Sequence, residues 1–239
     1  MINNSMIFNQ SMTFIIAIQL NDSIIVTTDN KQVVLTETAD AQFDPKKTTK
    51  IHPWDQGIIT GTGESYVVTR SIEFFKRLAH SNIAKLPQCL DISRQIRELK
   101  VGTDYFQVEN TKLLCSRYTE HGAQLYTIQR FEPSQPYELS PLQPMNITVW
   151  MFHPIIEAIS SDLKNLYTDL KDYATFNNKV DWMNYYLNRL APIYQKQSQQ
   201  DPFMSQSFDF FFQAKNEYIT GHIPNTQKTD LKFKEVSTK

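Results

Sequence analysis

Hydrophobic positions in this chain come first as short dense runs and later as spaced stripes. Phe14-Ile15-Ile16-Ala17-Ile18 is unbroken and largely β-branched. After the turn signal Asn21-Asp22, Ser23-Ile24-Ile25-Val26-Thr27-Thr28 returns, so the two runs predict a β-hairpin. Residues 33–36 predict a third short strand. A polar stretch over 37–46, marked by Asp44-Pro45, reads as a loop. A strand is expected over 48–54, and Gly57-Ile58-Ile59-Thr60 leads into Gly61-Thr62-Gly63.

The period then changes. Val68, Ile72, Phe75 and Ala79 share one helical face. A second helix is expected over 91–100, with Ile92, Ile96 and Leu99 in step and Asp91 as its cap. Residues 112–118 and 124–131 read as a hairpin around His121-Gly122, 133–144 as a Pro-rich loop, and 146–152 as a strand. His153-Pro154 is expected to open a helix, Pro suiting a first turn, with Ile156, Ile159, Leu163, Leu166 and Leu170 as its stripe. Another helix covers about 180–196, with Met183, Leu187, Leu190 and Tyr194 inward. Residues 208–213 and 218–222 close the pattern as two strands.

The order is strands, two helices, strands, two helices, strands. It is neither a βαβ alternation nor a strand-only pattern. It suits an α+β arrangement of two sheets face to face with helix pairs outside. The expected organisation is a leader or start-site artefact over 1–11, one domain over 12–223, and a flexible polar tail over 224–239. The leader is polar and uncharged, and reads as a disordered segment, a propeptide or an artefact of an upstream start codon.

Composition narrows the functions. The 239 residues carry 24 Lys and Arg against 25 Asp and Glu, which argues against nucleic acid or an anionic membrane as partner. The longest apolar run near the start is far shorter than the roughly 20 residues of a membrane span. Two cysteines, Cys89 and Cys115, cannot form a disulfide framework and point to a reducing, cytoplasmic setting. Only 6 residues are glycine, so each marks a backbone position worth inspecting. Phosphate-loop, dinucleotide, nucleophile-elbow and zinc-protease motifs are missing from the sequence, and no metal is expected.

Thr13 stands directly before the first strand. A threonine there is ordinarily a plain strand residue. Its surroundings change that reading: Asp29 closes the second strand sixteen residues on, Thr49-Lys50-Ile51 follows the loop, and Gly61-Thr62-Gly63 precedes a helix. This arrangement resembles the proteasome β-type subunits and the related bacterial ATP-dependent peptidase subunit, members of the N-terminal nucleophile hydrolases. The resemblance is detailed over residues 12–80 and continues in element order to about residue 220. It implies a four-layer αββα sandwich of two antiparallel sheets flanked by helix pairs.

The resemblance also implies roles. Thr13, once N-terminal, is the nucleophile, and its own α-amine is the general base. Asp29 holds a lysine whose charge lowers the pKa of the Thr13 hydroxyl. Lys50 matches the Lys-Ile pattern and lies 13 residues before Gly63; Lys47 is the alternative, 14 residues before Gly61. Gly63, or Gly61 with Lys47, offers its N–H to an oxyanion. The resemblance thins later. The family's Ser in a glycine-rich turn falls near Phe152-His153, where neither Ser nor Gly stands. Its second Asp falls on Asp201, which reads equally as a loop turn before Pro202, and Met204 replaces the Ser three residues on, with Ser205 adjacent.

The implied activity is cleavage of peptide bonds without metal or organic cofactor, in a ring-like homo-oligomer, with an ATP-dependent unfoldase as partner. It requires Thr13 to be exposed, by a start at Met12 or by propeptide removal. The alternatives are a non-catalytic ring subunit of the same fold and a small-molecule amidase. The aromatic stretch Phe208-Asp209-Phe210-Phe211-Phe212 is open to two readings, subunit contact or buried strand.

Overall fold

The computed structural model describes residues 8–11, 13–35, 41–44, 48–103, 105–151, 155–214, 217–224 and 231–234. The first predicted hairpin is β2 (Ile15–Gln19) and β3 (Ser23–Asp29), paired from Ile15 opposite Thr28 to Gln19 opposite Ile24. With β11 (Asn146–Trp150), β12 (Phe208–Ala214) and β13 (Glu217–Ile223) they form a five-stranded antiparallel sheet in the order β11-β2-β3-β12-β13.

A second antiparallel sheet has eight strands. Its path is β10 (Glu138–Pro141), β9 (Gly122–Gln129), β8 (Lys112–Thr119), β7 (Gly57–Glu64), β1 (Phe8–Ser11), β4 (Gln32–Leu35) and β5 (Ala41–Asp44), and β6 (His52–Trp54) pairs with β7 off this path.

Side-chain alternation explains why β2 and β3 are buried at every position and apolar over most of their length. Ile15, Ala17, Ile24 and Val26 face the other sheet together with Phe211 of β12, and there they meet Ile58, Leu114 and Leu125. Ile16, Ile18 and Ile25 face the opposite way, against α4 (Ser160–Thr168) and α5 (Lys179–Gln200). A sheet covered on both faces needs both residue sets apolar. On the far side, Ile59, Leu113, Cys115 and Ile128 pack beneath α1 (Ser65–Arg77) and α2 (Leu86–Val101). The result is helices, sheet, sheet, helices, as expected from the element order. The stretch over 208–212 is core: Phe208, Phe210 and Phe212 face the helices and Phe211 faces the other sheet.

Several expectations are corrected. Of the leader, residues 8–11 are not disordered but form β1, which pairs with β4 and β7 because an open strand edge on each side offers unpaired amides and carbonyls. The loop expected over 37–46 contains β5, and the Pro-rich loop contains β10, with Pro141 at the last residue of that strand. Only 52–54 of the strand expected over 48–54 is extended in a ladder. The helix expected from His153-Pro154 begins instead at Ser160, so Ile156 and Ile159 precede it; residues 152–154 lie outside the described residues. In the tail, residues 231–234 pack on α5 because Leu231 and Phe233 have apolar surface to cover.

Candidate active site

Hairpin register sets the spacing of the first two candidate residues. Paired positions in β2 and β3 sum to a constant, so Phe14 falls opposite Asp29 and Thr13 falls next to it. Two bonds close this end. The Asp29 amide donates to the Phe14 carbonyl (3.0 Å), and the Phe14 amide donates to Asp29 Oδ1 (2.9 Å). The carboxylate thus takes over the ladder one residue beyond the last strand pair.

Asp29 is a hub. Its Oδ1 also accepts from Lys50 Nζ (2.9 Å), and its Oδ2 accepts from the Lys31 amide (3.1 Å). The side chains of Asp29 and Lys50 are 0% and 6% exposed, so the ion pair is buried. Neighbouring Ile51 lies in the inter-sheet core and carries Lys50 to this place. Residues 48–51 are not in a strand. Lys47 itself lies outside the described residues, as does Met12.

Thr13 is 1% exposed. The chain reaches it through β1, whose last residue Ser11 is in register with Gly63 of β7. Gly63 has φ +112°, and a Cβ there would sit 2.5 Å from the Thr111 Cα, so only glycine fits. Gly61 has ordinary strand geometry, and its missing Cβ lets β8 approach: a Cβ would meet the Leu113 side chain at 2.6 Å. Beyond Gly63, a cavity of about 410 Å³ opens, lined by Thr62, Gly63, Lys112, Arg130 and Met151 among others. Burial lowers the Lys112 ammonium pKa, and its Nζ lies 4.7 Å from the Trp150 ring centre.

Asp201 ends α5 and makes a turn: its Oδ1 accepts from the Phe203 amide (2.9 Å), and its carbonyl accepts from the Met204 amide (3.2 Å). Lys31 links it to the site: this lysine feels the charges of both Asp29 and Asp201, and its Nζ donates to the Pro202 carbonyl. Burial outweighs those two carboxylates and lowers the Lys31 pKa. Ser205, the neighbour of Met204, accepts from the Asn30 amide (3.3 Å) and is therefore one residue from Asp29.

Sequence reasoning did not single out Asn30, Ser207 or His222. The Ser207 hydroxyl donates to Asn30 Oδ1 (2.6 Å), and Asn30 Nδ2 lies 3.1 Å from His222 Nδ1, which is also 2.8 Å from Asp209 Oδ1. Nor was Tyr194 assigned to the site. Its hydroxyl donates to Thr27 Oγ1 (3.0 Å), and its ring stacks on Phe208 and meets Phe14 edge-on. Burial pushes its phenol pKa well up, so it stays a neutral donor. The polar run Asp29-Asn30-Lys31 at the end of the second predicted strand is the available signal.

Both cysteines are free and buried. Among the described residues, no group of three or more His, Cys, Asp or Glu side chains is placed to hold a metal ion, and no helix is long and apolar enough to cross a membrane.

No protein-family model matches the chain, and no curated protein matches it. Solved structures do. An Anbu (Gly-1) mutant from Hyphomicrobium sp. strain MC1 superposes with a TM-score of 0.59 at 9% identity, covering 90% of this chain and 89% of that one. Anbu (ancestral beta-subunit) from Yersinia bercovieri gives 0.57 at 9% identity over 87% and 86%. The two antiparallel sheets between helix layers are thus a fold of the proteasome-like kind, shared with these chains over most of their length.

Proposed function

We propose that the chain is a proteasome-like N-terminal-threonine hydrolase that cleaves peptide bonds. The observation that carries this reading is the buried Asp29–Lys50 pair, joined through Asp29 Oδ1 to the amide of the residue after Thr13. A buried lysine held by a carboxylate beside a hydroxyl is a means of activating a nucleophile.

In this reading Thr13 Oγ attacks the scissile carbonyl carbon and the Thr13 α-amine takes the hydroxyl proton. The Gly63 N–H stabilises the oxyanion. The C–N bond then breaks, the leaving amine takes the proton, and water hydrolyses the Thr13 ester to regenerate the hydroxyl. Lys50, held by Asp29, favours the developing alkoxide by its charge, and Asp201 acts at most through Lys31. The slot between β4 and β7 suits an extended peptide, since β1 already runs there with its end in register with Gly63. Assembly into a ring, an unfoldase partner and a cytoplasmic setting belong to the same proposal.

The mechanism needs a free amine on Thr13, whose nitrogen is a peptide nitrogen in this sequence. The test is a chain produced to begin at Thr13 and treated with a peptide epoxyketone. The expected result is a single adduct mapped to Thr13 by mass spectrometry, with peptide hydrolysis that Thr13→Ala abolishes. Neither adduct nor hydrolysis from that folded chain overturns the reading. The second reading, a non-catalytic subunit of the same fold, is favoured by Met204 at the expected serine and by β1 filling the slot; it predicts a stable oligomer with no adduct. The small-molecule amidase reading predicts an adduct without peptide hydrolysis.

A further inference from the structure

Asn184 and Asn188 stand one turn apart on α5 and so share a face. Each treats a backbone residue of the C-terminal segment as a strand partner would. Asn188 Oδ1 accepts from the Leu231 amide (2.5 Å), and its Nδ2 donates to the Leu231 carbonyl (2.9 Å). Asn184 Oδ1 accepts from the Phe233 amide (2.8 Å), and its Nδ2 donates to the Phe233 carbonyl (3.2 Å). Residues 231–234 alternate as a strand does: Leu231 and Phe233 are half-buried against the α5 core, and Lys232 and Lys234 are exposed. Phe233 meets the ring of Phe210, which lies across Gly221, where a Cβ would come within 2.4 Å of that ring.

Two amides a turn apart, matched to residues two apart in an extended chain, read backbone. Two apolar sites beside them read side chains. We propose that this face of α5 is a binding groove for an extended peptide of the pattern apolar-x-apolar, occupied in cis by Leu231-Lys232-Phe233. Four side-chain-to-backbone bonds on two alternate residues specify main chain in the extended state, and the ring contact with Phe210 selects an aromatic side chain at the second apolar position. The occupant is joined to β13 only through residues 224–230, so it is a tethered ligand whose high effective concentration keeps free peptide out. This groove belongs to the outer helix layer, independent of the Thr13 reading.

The test uses the full chain and a fluorescent peptide with the sequence of residues 229–236. The variant Leu231→Asp/Phe233→Asp should lose its own tail from the groove and bind the peptide saturably, at least about tenfold more tightly than the unaltered chain, where the tethered tail competes. Adding Asn184→Ala/Asn188→Ala should weaken that binding by a further factor of about ten or more, each amide pair supplying two hydrogen bonds. Equal binding to the unaltered and tail-altered chains, or binding indifferent to the two asparagines, overturns the proposal. Hydrogen exchange on the unaltered chain adds a measurement that needs no folded variant. The Leu231 and Phe233 amides should exchange more slowly than in the free peptide of residues 229–236, and exchange at the free-peptide rate overturns the proposal.

Discussion

The two sides of the candidate site each contain a buried carboxylate paired with a cation, and the two pairs are built differently. At the end of β3, Asp29 collects two backbone amides and the Lys50 ammonium, and its own strand and two further segments converge on it. At the end of β7, Glu64 caps α1 by accepting from the Val67 amide through Oε2 (2.9 Å), while Oε1 accepts from Arg97 Nε (3.1 Å) and Nη2 (2.9 Å). Arg97 spends two donors on one oxygen and is partly reached by water; Lys50 is a compact point charge enclosed with its partner. The Glu64 pair closes a helix terminus, as any capping carboxylate does. The Asp29 pair also closes a local structure, the open end of the β2–β3 hairpin, and in addition it holds a buried cation on the carboxylate that binds the amide next to Thr13. A buried cation beyond what those backbone bonds require is where a functional role is to be sought.

The largest effect separates the two pairs. Lys50→Ala leaves the Asp29 carboxylate buried without its cation, and chemical denaturation is expected to show a loss of about 3–5 kcal/mol. Asp29→Asn with Lys50→Met removes both charges and should recover most of that stability. In a chain beginning at Thr13, the double variant should still be inactive. Full activity in that folded double variant would place Lys50 outside the mechanism and turn attention to Lys47.

Glu64→Ala is expected to cost less, about 1–3 kcal/mol, from a lost cap and an Arg97 that water can partly serve. Its peptide hydrolysis per folded molecule should match the unaltered chain; a loss of kcat with unchanged folding would make the two pairs equivalent. Tyr194→Phe removes one hydroxyl bond to Thr27 beneath Phe14 and should cost about 1 kcal/mol. Its thermal unfolding midpoint, measured beside that of Glu64→Ala, ranks a neutral buried bond against a capping carboxylate.

The smallest effect is in pH. Burial raises the Glu64 carboxyl above its ordinary 4.5, outweighing the Val67 amide and Arg97, which lower it. The folded chain therefore holds this proton more tightly than the unfolded chain. The resulting stabilisation is fully present below the ordinary value and is lost as pH rises through the folded one. Glu64→Gln should accordingly gain on the unaltered chain as pH rises above the ordinary 4.5, and urea unfolding over a pH series measures it. A gap that widens in the opposite sense, with Glu64→Gln losing ground as pH rises, would show that Arg97 dominates over burial.

Much of the architecture is legible in the sequence. Strand runs, helical stripes and their order are local properties, set by which residues must be covered and at what period. The separation of Thr13 and Asp29 is also local, because one tight hairpin fixes it. The elements that escape a sequence reading are those whose cause is distant. β1 has no apolar pattern of its own and forms only because β4 and β7 leave edges on either side of it. Tail residues 231–234 are held by asparagines more than forty positions earlier.

The sequence by itself therefore determined the layered fold and which polar residues stand at strand ends. Only the tertiary structure decided which of them meet. Lys50 reaches Asp29 because Ile51 is drawn into the inter-sheet core, and Asn30 joins Ser205 and Ser207 because the turn after α5 closes against the end of β3. Periodicity is written in neighbouring residues, whereas the contacts that gather a charge, an amide and a hydroxyl depend on how whole layers pack.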